Sequence, residues 1–307
     1  MPKNFVSLAE WPADELWGLL DRARRLKELD RTGQRPQTLQ GRVLAMFFEK
    51  PSLRTHVTFE AGMTQLGGHA ILLRPEQVGI GTRESPGDVA RNLSRWLDGL
   101  VARTFSHDLV EEFASAATIP VINGLTDLLH PCQVMADFQT IAERRPLKDA
   151  VIAYVGDGNN VANSLLLGSA VLGLELRLAT PPSHRPSARV RQQADDLARA
   201  SGARLSWFEE SERAVDGADF VYTDVWTSMG QEDERERRRE IFAPYQVNAA
   251  LLRSAPDAFV LHCLPAHRGE EITDDVLDGE RSIVFDQAEN RLHAQKAILE
   301  RLLAPPS

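Results

Sequence analysis

The order in which two kinds of segment alternate along the chain constrains the fold more than any other feature. Short runs of β-branched, aromatic and aliphatic residues are followed by longer stretches in which apolar residues recur with a helical period. The short runs are typical of buried strands, and the long stretches are typical of amphipathic helices. Because strands that alternate with helices form parallel sheets covered by helices, the sequence predicts the α/β class.

The first half of the chain is predicted to form one such sheet. A helix should run from Pro12, a residue suited to a first helical turn, to the neighbourhood of Gly33. Ser85 and Pro86 are typical of a helix start, and this helix should end near Gly99. The predicted strands are Arg42–Phe48, His69–Leu73 and the runs LVARTF and IPVIN, and a long helix should begin at His130.

The second half repeats this organisation after a charged, proline-containing hinge at Ala142–Ala150. We therefore predict two doubly wound parallel-sheet lobes with a cleft between them, residues 1–141 and 142–307. The last helix, at about residues 287–304, should pack back on the first lobe. The predicted strands of the second lobe include Ala150–Gly158, Asp219–Trp226, Ala258–Ala266 and Ser282–Asp286.

Composition excludes several classes of protein. The 307 residues include 35 Lys and Arg against 44 Asp and Glu, a net charge of −9, which argues against a nucleic-acid-binding protein. No run approaches the roughly 18 consecutive apolar residues of a membrane span, and the N-terminal segment has acidic residues where a signal peptide is apolar. Two cysteines make no disulfide framework, so we expect a cytoplasmic protein with reduced thiols.

Ligands of open parallel sheets bind beyond the carboxyl ends of the strands, so the loops after strands are candidate sites. The loop Lys50–Thr55 leads into a helix, and its two hydroxyls, Arg54 and the helix N-terminus would together bind an anion such as phosphate. It lacks the glycines of a Walker A loop, so nucleotide hydrolysis is not indicated. A helix cap at Ser52 beside a solvated Arg54 is the alternative interpretation.

The segment Leu129–Gln133 opens the long helix. A histidine at a helix N-terminus tends to stay neutral, so His130 would donate a hydrogen bond to a carbonyl without carrying charge. That property suits the polarisation of an acyl group. The alternative is a capping histidine with Cys132 in the core.

The segment Gly156–Val161 starts like a dinucleotide-binding fingerprint. Val161 stands where the third glycine belongs, so the sequence supports a pyrophosphate site only weakly. Asn160 is instead a candidate for binding a carboxylate through its amide. A tight turn without a ligand is the alternative.

The segment Thr223–Gly230 follows another predicted strand. Asp224 and Ser228 are candidates for binding an amine, and backbone N–H groups near Met229 for binding a carboxylate. An exposed loop is the alternative. The mixed-charge run EDERERRRE that follows is most simply a solvated helix face.

The segment Leu261–Gly269 combines histidines and a cysteine. His262, Cys263 and His267 lack the spacing of a known zinc site, so we predict no metal. Cys263 would position a neutral amine, and the Leu264 carbonyl would accept its N–H. An acyl-enzyme on Cys263 would need a general base beside it, and strand alternation should point His262 to the opposite face.

Taken together, these loops resemble the aspartate/ornithine carbamoyltransferase family, and within it the ornithine branch. The runs FFEKPSLRTHVTFE, LDGLVARTF, HPCQ, GDGNNV, DVWTSMG, HCLPAHRGEE and FDQAENRLHAQKA occur in the family's order and span nearly the whole chain. The resemblance implies transfer of a carbamoyl group from carbamoyl phosphate to the δ-amine of L-ornithine, without a cofactor, in a homotrimer whose active sites lie at subunit interfaces.

The resemblance also implies roles for individual residues. Arg54, Arg103, His130 and Cys263 would be catalytic, and Gln77 would be lent to a neighbouring subunit's site. The ornithine-binding positions would be Asn160, Asp224, Ser228 and Met229. The positions for carbamoyl phosphate would be Ser52, Leu53, Arg54, Thr55, Gln77, Arg103, His130, Pro131, Cys132, Gln133, Cys263, Leu264 and Arg291.

Two departures from the family pattern lie beside the phosphate loop. The family often has Thr and Arg where this chain has Leu53 and His56, so one hydroxyl and one outer cation are missing. Three alternatives to the ornithine reaction stay open at this point. They are a sister carbamoyltransferase acting on putrescine or an N-acylated ornithine, a nucleotide-dependent oxidoreductase resting on Gly156 and Gly158, and a catalytically inactive paralogue.

Overall fold

The computed structural model describes residues 3–228, 230 and 232–305. Two compact units can be separated, one comprising Met1–Gln139 and Glu289–Ser307 and the other Thr140–Ala288. Each contains a parallel sheet with helical connections between its strands, which confirms the predicted α/β class. Within the described residues no helix is both long and apolar enough to cross a membrane.

The first unit is built on four parallel strands in the order β2-β1-β3-β4. The strands are β1 (Val43–Phe48), β2 (His69–Leu73), β3 (Gly99–Arg103) and β4 (Val121–Leu125). The helices in this part of the chain are α1 (Ala13–Arg31), α2 (Leu53–Gln65), α3 (Pro75–Val78), α4 (Pro86–Trp96), α5 (His107–Ala116) and α6 (Pro131–Ala142).

Local sequence accounts for these elements. Strands β1 and β3 are apolar and almost wholly buried, as strands covered on both faces must be. Helix α4 begins as predicted, because the Ser85 side chain accepts a hydrogen bond from Asp88 N and Pro86 is the first helical residue. Phe47 packs edge-on against Phe113 of α5, which ties one helix to the sheet.

The second unit contains five parallel strands in the order β7-β6-β5-β8-β9. The strands are β5 (Val151–Val155), β6 (Glu175–Ala179), β7 (Arg204–Phe208), β8 (Phe220–Thr223) and β9 (Phe259–His262). The helices that follow in the chain are α7 (Asn160–Leu172), α8 (Ala188–Ser201), α9 (Ser211–Val215), α10 (Arg235–Phe242), α11 (Asp274–Leu277) and α12 (Val284–Leu303). From Glu289 onwards α12 belongs to the first unit, as predicted for the last helix.

One predicted strand is wrong. Ser282–Asp286 forms no ladder, since only Ser282 makes a single bridge to Val260 and helix α12 already begins at Val284. A short apolar run is compatible with a strand or with the buried first turn of a helix, and here burial of Ile283 and Val284 serves the helix. The other predicted strands are present, with ends that agree with the prediction or differ from it by a few residues.

Strand order decides which loops meet. In the first sheet the order reverses between β1 and β3, and in the second between β5 and β8. At such a switch point the two connections leave towards opposite faces and open a crevice at the carboxyl ends of the strands. The candidate loops after β1 and β3, and those after β5 and β8, flank these two crevices.

Candidate active site

The loop after β1 forms a prepared helix N-terminus. The Ser52 side chain caps α2 by accepting a hydrogen bond from Thr55 N at 3.1 Å. Leu53, where the family often has a threonine, is 74% exposed. Arg54 lies half-buried in the first turn of α2. The positive end of the helix dipole and the guanidinium thus lie at the same helix terminus, an arrangement suited to an anion.

His130 is buried within range of three arginine side chains of the first unit. Burial lowers the pKa of His130 well below its usual value, and the positive charges of Arg291, Arg103 and Arg54 lower this pKa further. The imidazole is 4% exposed and immediately precedes α6. A neutral imidazole among three guanidinium groups can donate a hydrogen bond to an oxygen that is becoming negative. The sequence prediction that His130 stays neutral therefore agrees with its surroundings.

Arg291, on α12, connects the phosphate loop to α6. Its Nη2 donates to Thr55 Oγ1 at 2.8 Å and its Nη1 donates to Gln133 Oε1. The backbone N–H of Gln133 donates in turn to the His130 carbonyl at 3.1 Å. Four of the residues assigned to carbamoyl phosphate, from three separate segments, thus form one buried network.

The depressed pKa of His130 predicts a stability that depends on pH. Below a pH of about 6.5 the unfolded chain binds a proton at this histidine and the folded chain does not, so stability falls as the pH decreases. At a pH of about 5.5 this loss should reach about 1.4 kcal/mol. Urea unfolding of the wild type and of His130→Asn measures this loss, at a pH of about 5.5 and at a pH of about 8, where the histidine is neutral in both states. If both proteins lose the same stability on acidification, His130 is not the responsible group.

Cys132 is a core residue. It is fully buried, its Sγ donates to the Asn123 carbonyl at 3.3 Å, and burial raises its pKa to about 12. A thiol in that state is neither nucleophile nor ligand. Cys132 and Pro131, both assigned to carbamoyl phosphate from the sequence, can therefore contribute only through backbone or packing.

Gln77 lies apart from this network in the isolated chain. It is exposed on the short helix α3, just after the edge strand β2, and its Oε1 accepts a hydrogen bond from Arg74 N at 3.2 Å. Arg103, by contrast, ends the central strand β3 and is 6% exposed. Of the residues assigned from the sequence to the first unit, contacts and charges join Arg54, Thr55, Arg103, His130, Gln133 and Arg291, whereas Gln77 lies elsewhere.

In the second unit, Asp224 is held between two donors. Cys263 Sγ donates to Asp224 Oδ1 at 2.9 Å, and Asn159 Nδ2 donates to Asp224 Oδ2 at 2.7 Å. Asp224 is buried beyond the end of β8, and Cys263 follows β9. The two donors therefore fix the orientation of the carboxylate and, being neutral, leave its charge uncompensated. Sequence analysis overlooked Asn159, although a side-chain cap before the α7 pattern was the available signal.

The glycines after β5 allow close approach of two segments. A Cβ on Gly158 would lie 2.4 Å from the His184 carbonyl, and Gly156 has a φ of +142°. Chain packing thus explains Gly158 and the positive φ explains Gly156, which removes the support for a dinucleotide site. Asn160 is the first residue of α7, and Asn159 accepts hydrogen bonds from the N–H groups of Val161 and Ala162.

An unpredicted ion pair lies behind Asp224. Arg238, on α10, donates to the Asp157 carboxylate and to the Trp226 carbonyl, and its guanidinium lies 5.3 Å from the Phe242 ring centre. Burial raises the pKa of Asp157 to about 7, opposed by the charge of Arg238 and assisted by that of Asp224. The run EDERERRRE is therefore not wholly a solvated face. Its one buried arginine ties the loop after β5 to the loop after β8.

Removing Arg238 should destabilise the protein strongly. Arg238→Ala leaves Asp157 buried without its cation, which should cost about 3–5 kcal/mol in the free energy of unfolding. Arg237→Ala, one residue away on the exposed face of α10, is the matched control and should change it by less than about 0.5 kcal/mol. Urea unfolding measures both, and adding Asp157→Asn to Arg238→Ala should restore part of the loss. Equal effects of the two arginine variants would contradict the structural role.

His262 supports the turn that contains Cys263 and Leu264. The His262 Nδ1 accepts from Leu264 N at 2.8 Å, and its Nε2 donates to Glu271 Oε1 at 2.9 Å, an assignment that follows from the partners. Leu264 has a φ of +57°, and its peptide bond to Pro265 is cis. Since both ring nitrogens of His262 are occupied, it is not poised as a general base for Cys263. The alternative of an acyl-enzyme on Cys263 therefore lacks His262 as its general base.

The described residues contain two groups whose ligand atoms lie within 4.8 Å of one another and would suit a metal ion. The first group is Asp224, His262 and Cys263, and the second is His267, Glu270 and Glu271. The three candidate ligands of the HCLPAHRG segment are thus divided between the two groups. In the second group Glu270 is ion-paired with Arg235, and Glu271 is hydrogen-bonded to His262.

The loop after Asp224 is only partly described. Ser228 is partly buried and lies beyond the end of β8, as the sequence predicts. Met229, assigned to the substrate carboxylate, lies outside the described residues. Trp226 is buried and stacks on Phe242 at 5.9 Å between ring centres, which anchors the start of the loop.

Comparison with known proteins gives one family over the whole chain. A family model for the aspartate/ornithine carbamoyltransferase carbamoyl-P binding domain matches residues 3–143. A second model, for the Asp/Orn binding domain of the same family, matches residues 148–302.

Individual relatives are similar over nearly their full length. An ornithine carbamoyltransferase of Methanoculleus marisnigri is 50% identical over 306 residues, 99% of this chain and 98% of the relative. An anabolic ornithine carbamoyltransferase of Pyrococcus furiosus is 48% identical over 97% of this chain and 95% of its own length. The solved structure of ornithine carbamoyltransferase from Pyrococcus furiosus superposes with a TM-score of 0.95 at 46% identity, covering 98% of this chain and 97% of that one.

Proposed function

The chain belongs to the aspartate/ornithine carbamoyltransferase family, and we propose that it transfers the carbamoyl group of carbamoyl phosphate to the δ-amine of L-ornithine. The products are L-citrulline and phosphate. The relatives named ornithine carbamoyltransferase, one of them anabolic, support this transferase activity in arginine biosynthesis. The observation that carries the proposal is the convergence of Arg54, Arg103 and Arg291 on one buried, neutral histidine.

In the proposed reaction the first unit binds carbamoyl phosphate. The phosphate group lies against the N-terminus of α2, where Ser52, Thr55 and the backbone N–H groups donate to its oxygens. Arg54, Arg103 and His130 donate to the carbonyl oxygen, and Gln133 and Arg291 complete the pocket. Support comes from the network joining Arg291, Thr55 and Gln133 and from the capped helix start.

The second unit binds ornithine. Asp224 and Ser228 bind its α-amino group, while the Asn160 amide and backbone N–H groups near Met229 bind its α-carboxylate. Cys263 and the Leu264 carbonyl orient the neutral δ-amine. The fixed contacts of Asp224 with Asn159 and Cys263 support this assignment, because they orient a carboxylate without neutralising it.

The chemical step forms one bond and breaks one. The lone pair of the δ-nitrogen attacks the carbamoyl carbon, and the carbonyl oxygen gains negative charge beside Arg54, Arg103 and His130. The bond from carbon to the phosphate oxygen then breaks, its electrons leave with the phosphate, and the surplus amine proton goes to that phosphate. No cofactor takes part. Because only the neutral amine attacks, turnover should increase with pH towards the amine's pKa of roughly 10.

We further propose a cytoplasmic homotrimer. The isolated chain exposes Leu53, Val57 and Ile71 of the first unit by 74%, 50% and 39%, as expected of surfaces that a neighbouring subunit covers. Gln77 would reach that neighbour's site. Cys132 and Cys263 are thiols and form no disulfide, which suits a reducing compartment. Light scattering coupled to size-exclusion chromatography measures the molar mass of the assembly. A monomer at micromolar concentration would contradict the proposed trimer.

A direct assay tests the reaction. Purified protein is supplied with carbamoyl phosphate and, in parallel, with L-ornithine, putrescine, N-acetyl-L-ornithine or L-aspartate, and the carbamoylated product is quantified. Ornithine should be preferred by at least about a hundredfold in kcat/KM, because Asp224 and Asn160 recognise free α-amino and α-carboxylate groups. Preference for putrescine or for N-acetyl-L-ornithine would contradict the proposed substrate.

A further inference from the structure

The network through Arg291 includes a residue, Asp137, for which the proposed reaction gives no role. Gln133 Nε2 donates to Asp137 Oδ1 at 2.7 Å, one turn further along α6. Together with the contacts of Arg291 with Gln133 and Thr55, this makes a continuous chain of hydrogen bonds across the first unit. Each of its four side chains is at most 2% exposed.

The chain of hydrogen bonds has only one permitted direction. A guanidinium carries donors alone, so Gln133 must present its oxygen to Arg291. A carboxylate accepts, so the same amide must present its nitrogen to Asp137. The two ends of an amide are nearly the same size, and packing alone would not distinguish them. Arg291 and Asp137 therefore select the same orientation of Gln133, and the reversed amide would oppose donor to donor and acceptor to acceptor.

Charge gives Asp137 a second effect. Three guanidinium groups act on His130, and Arg291 is among them. Asp137 is a fully buried carboxylate one hydrogen-bonded side chain away from Arg291. When ionised, this carboxylate favours Gln133 as an acceptor towards Arg291 and stabilises the guanidinium in the absence of a bound anion.

We propose that Asp137 is a positioning residue for carbamoyl phosphate. It fixes the amide of Gln133, and through it the guanidinium of Arg291 and the hydroxyl of Thr55, in the arrangement that binds the substrate. The identity of that substrate rests on the proposed function. The geometric part, that Asp137 acts on an anion site through Gln133, does not depend on turnover.

The first test is Asp137→Asn, which keeps the shape and removes the charge and one acceptor. Titration calorimetry with carbamoyl phosphate and with inorganic phosphate should show Kd raised roughly tenfold for both. The KM for ornithine should stay within about twofold, since its proposed contacts lie in the second unit. Gln139→Met, a fully buried change on the same helix, is the control and should leave both substrates unaffected. If Asp137→Asn raised the Kd for carbamoyl phosphate and the KM for ornithine by equal factors, the effect would be a general distortion and the proposal would be overturned.

The second test exchanges the two groups. Gln133→Glu alone opposes two carboxylates and should weaken phosphate binding strongly. Combining Gln133→Glu with Asp137→Asn restores a donor facing an acceptor, so the double variant should bind phosphate about tenfold more tightly than Gln133→Glu alone. If the Kd for phosphate of the double variant is raised by the product of the factors found for the two single variants, Asp137 does not act through Gln133 and the proposal fails. This comparison also decides the matter if Asp137→Asn unfolds by itself.

The two proposals fail differently. Wild-type protein that binds phosphate, responds to the exchange and yet makes no citrulline would overturn the proposed function and leave the role of Asp137 standing. Wild-type protein that makes citrulline but shows no coupling between the two positions would do the reverse.

Discussion

Arg54→Ala is expected to reduce kcat/KM for carbamoyl phosphate by roughly a thousandfold. Arg54 occupies the first turn of α2, and its charge acts on the buried His130, so it adjoins both the helix end proposed to bind phosphate and the histidine proposed to polarise the carbonyl. Its removal takes away a charged donor that is most important when the carbonyl oxygen becomes negative, so kcat should fall as well as binding. Initial rates of citrulline formation at varied carbamoyl phosphate and saturating ornithine measure the effect.

Arg91→Ala is the matched control for that experiment. Arg91 also lies in the first unit, but it is exposed on α4 and paired only with Asp88 three residues before it. Surface pairs of this kind contribute little, so activity should stay within about twofold. Unchanged turnover in Arg54→Ala would mean that the site has been misplaced.

Asp224→Asn is expected to increase the KM for ornithine by roughly a hundredfold. The substitution keeps the volume of the side chain but removes the charge that would pair with the α-amino group. It also disturbs the local network, because Cys263 and Asn159 both donate to the carboxylate and an amide has only one oxygen. The KM for carbamoyl phosphate should change by less than about threefold, since its proposed contacts lie in the first unit.

Asp216→Asn provides the corresponding control. Asp216 is exposed just after α9 in the second unit, and its loss should leave both KM values unaltered. Steady-state kinetics with each substrate varied in turn separate the possibilities. An Asp224→Asn enzyme in which both KM values increase together would indicate a structural rather than an ornithine-binding role.

Short-range signals made much of the fold predictable. Alternating strands and helices gave the parallel α/β class, and side chains such as Ser85 marked helix starts because a cap involves residues only three positions apart. The error at Ser282–Asp286 has the same origin. A run of five residues with two buried apolar side chains satisfies both a strand and a helix start, and only the packed structure selects one.

Parts of the candidate site could be predicted where the resemblance places a residue type within a contiguous run. Ser52, Arg54 and His130 stand in such runs, and local geometry agrees with their predicted character. Partners distant in the chain were overlooked. Asp157 and Arg238 are 81 residues apart, and the sequence around Arg238 looks like any charged helix surface.

The sequence by itself determined the class of each segment, the position of the candidate loops after strands and the chemistry those loops can carry. Only the tertiary structure decided which side chains share a network. It brought Arg291 to Gln133 across 158 positions, placed Asn159 on Asp224, and buried one arginine of a charged run. The physical reason is that propensity and capping act over a few residues, whereas the direction of a hydrogen bond and the burial of a charge depend on every segment packed around them.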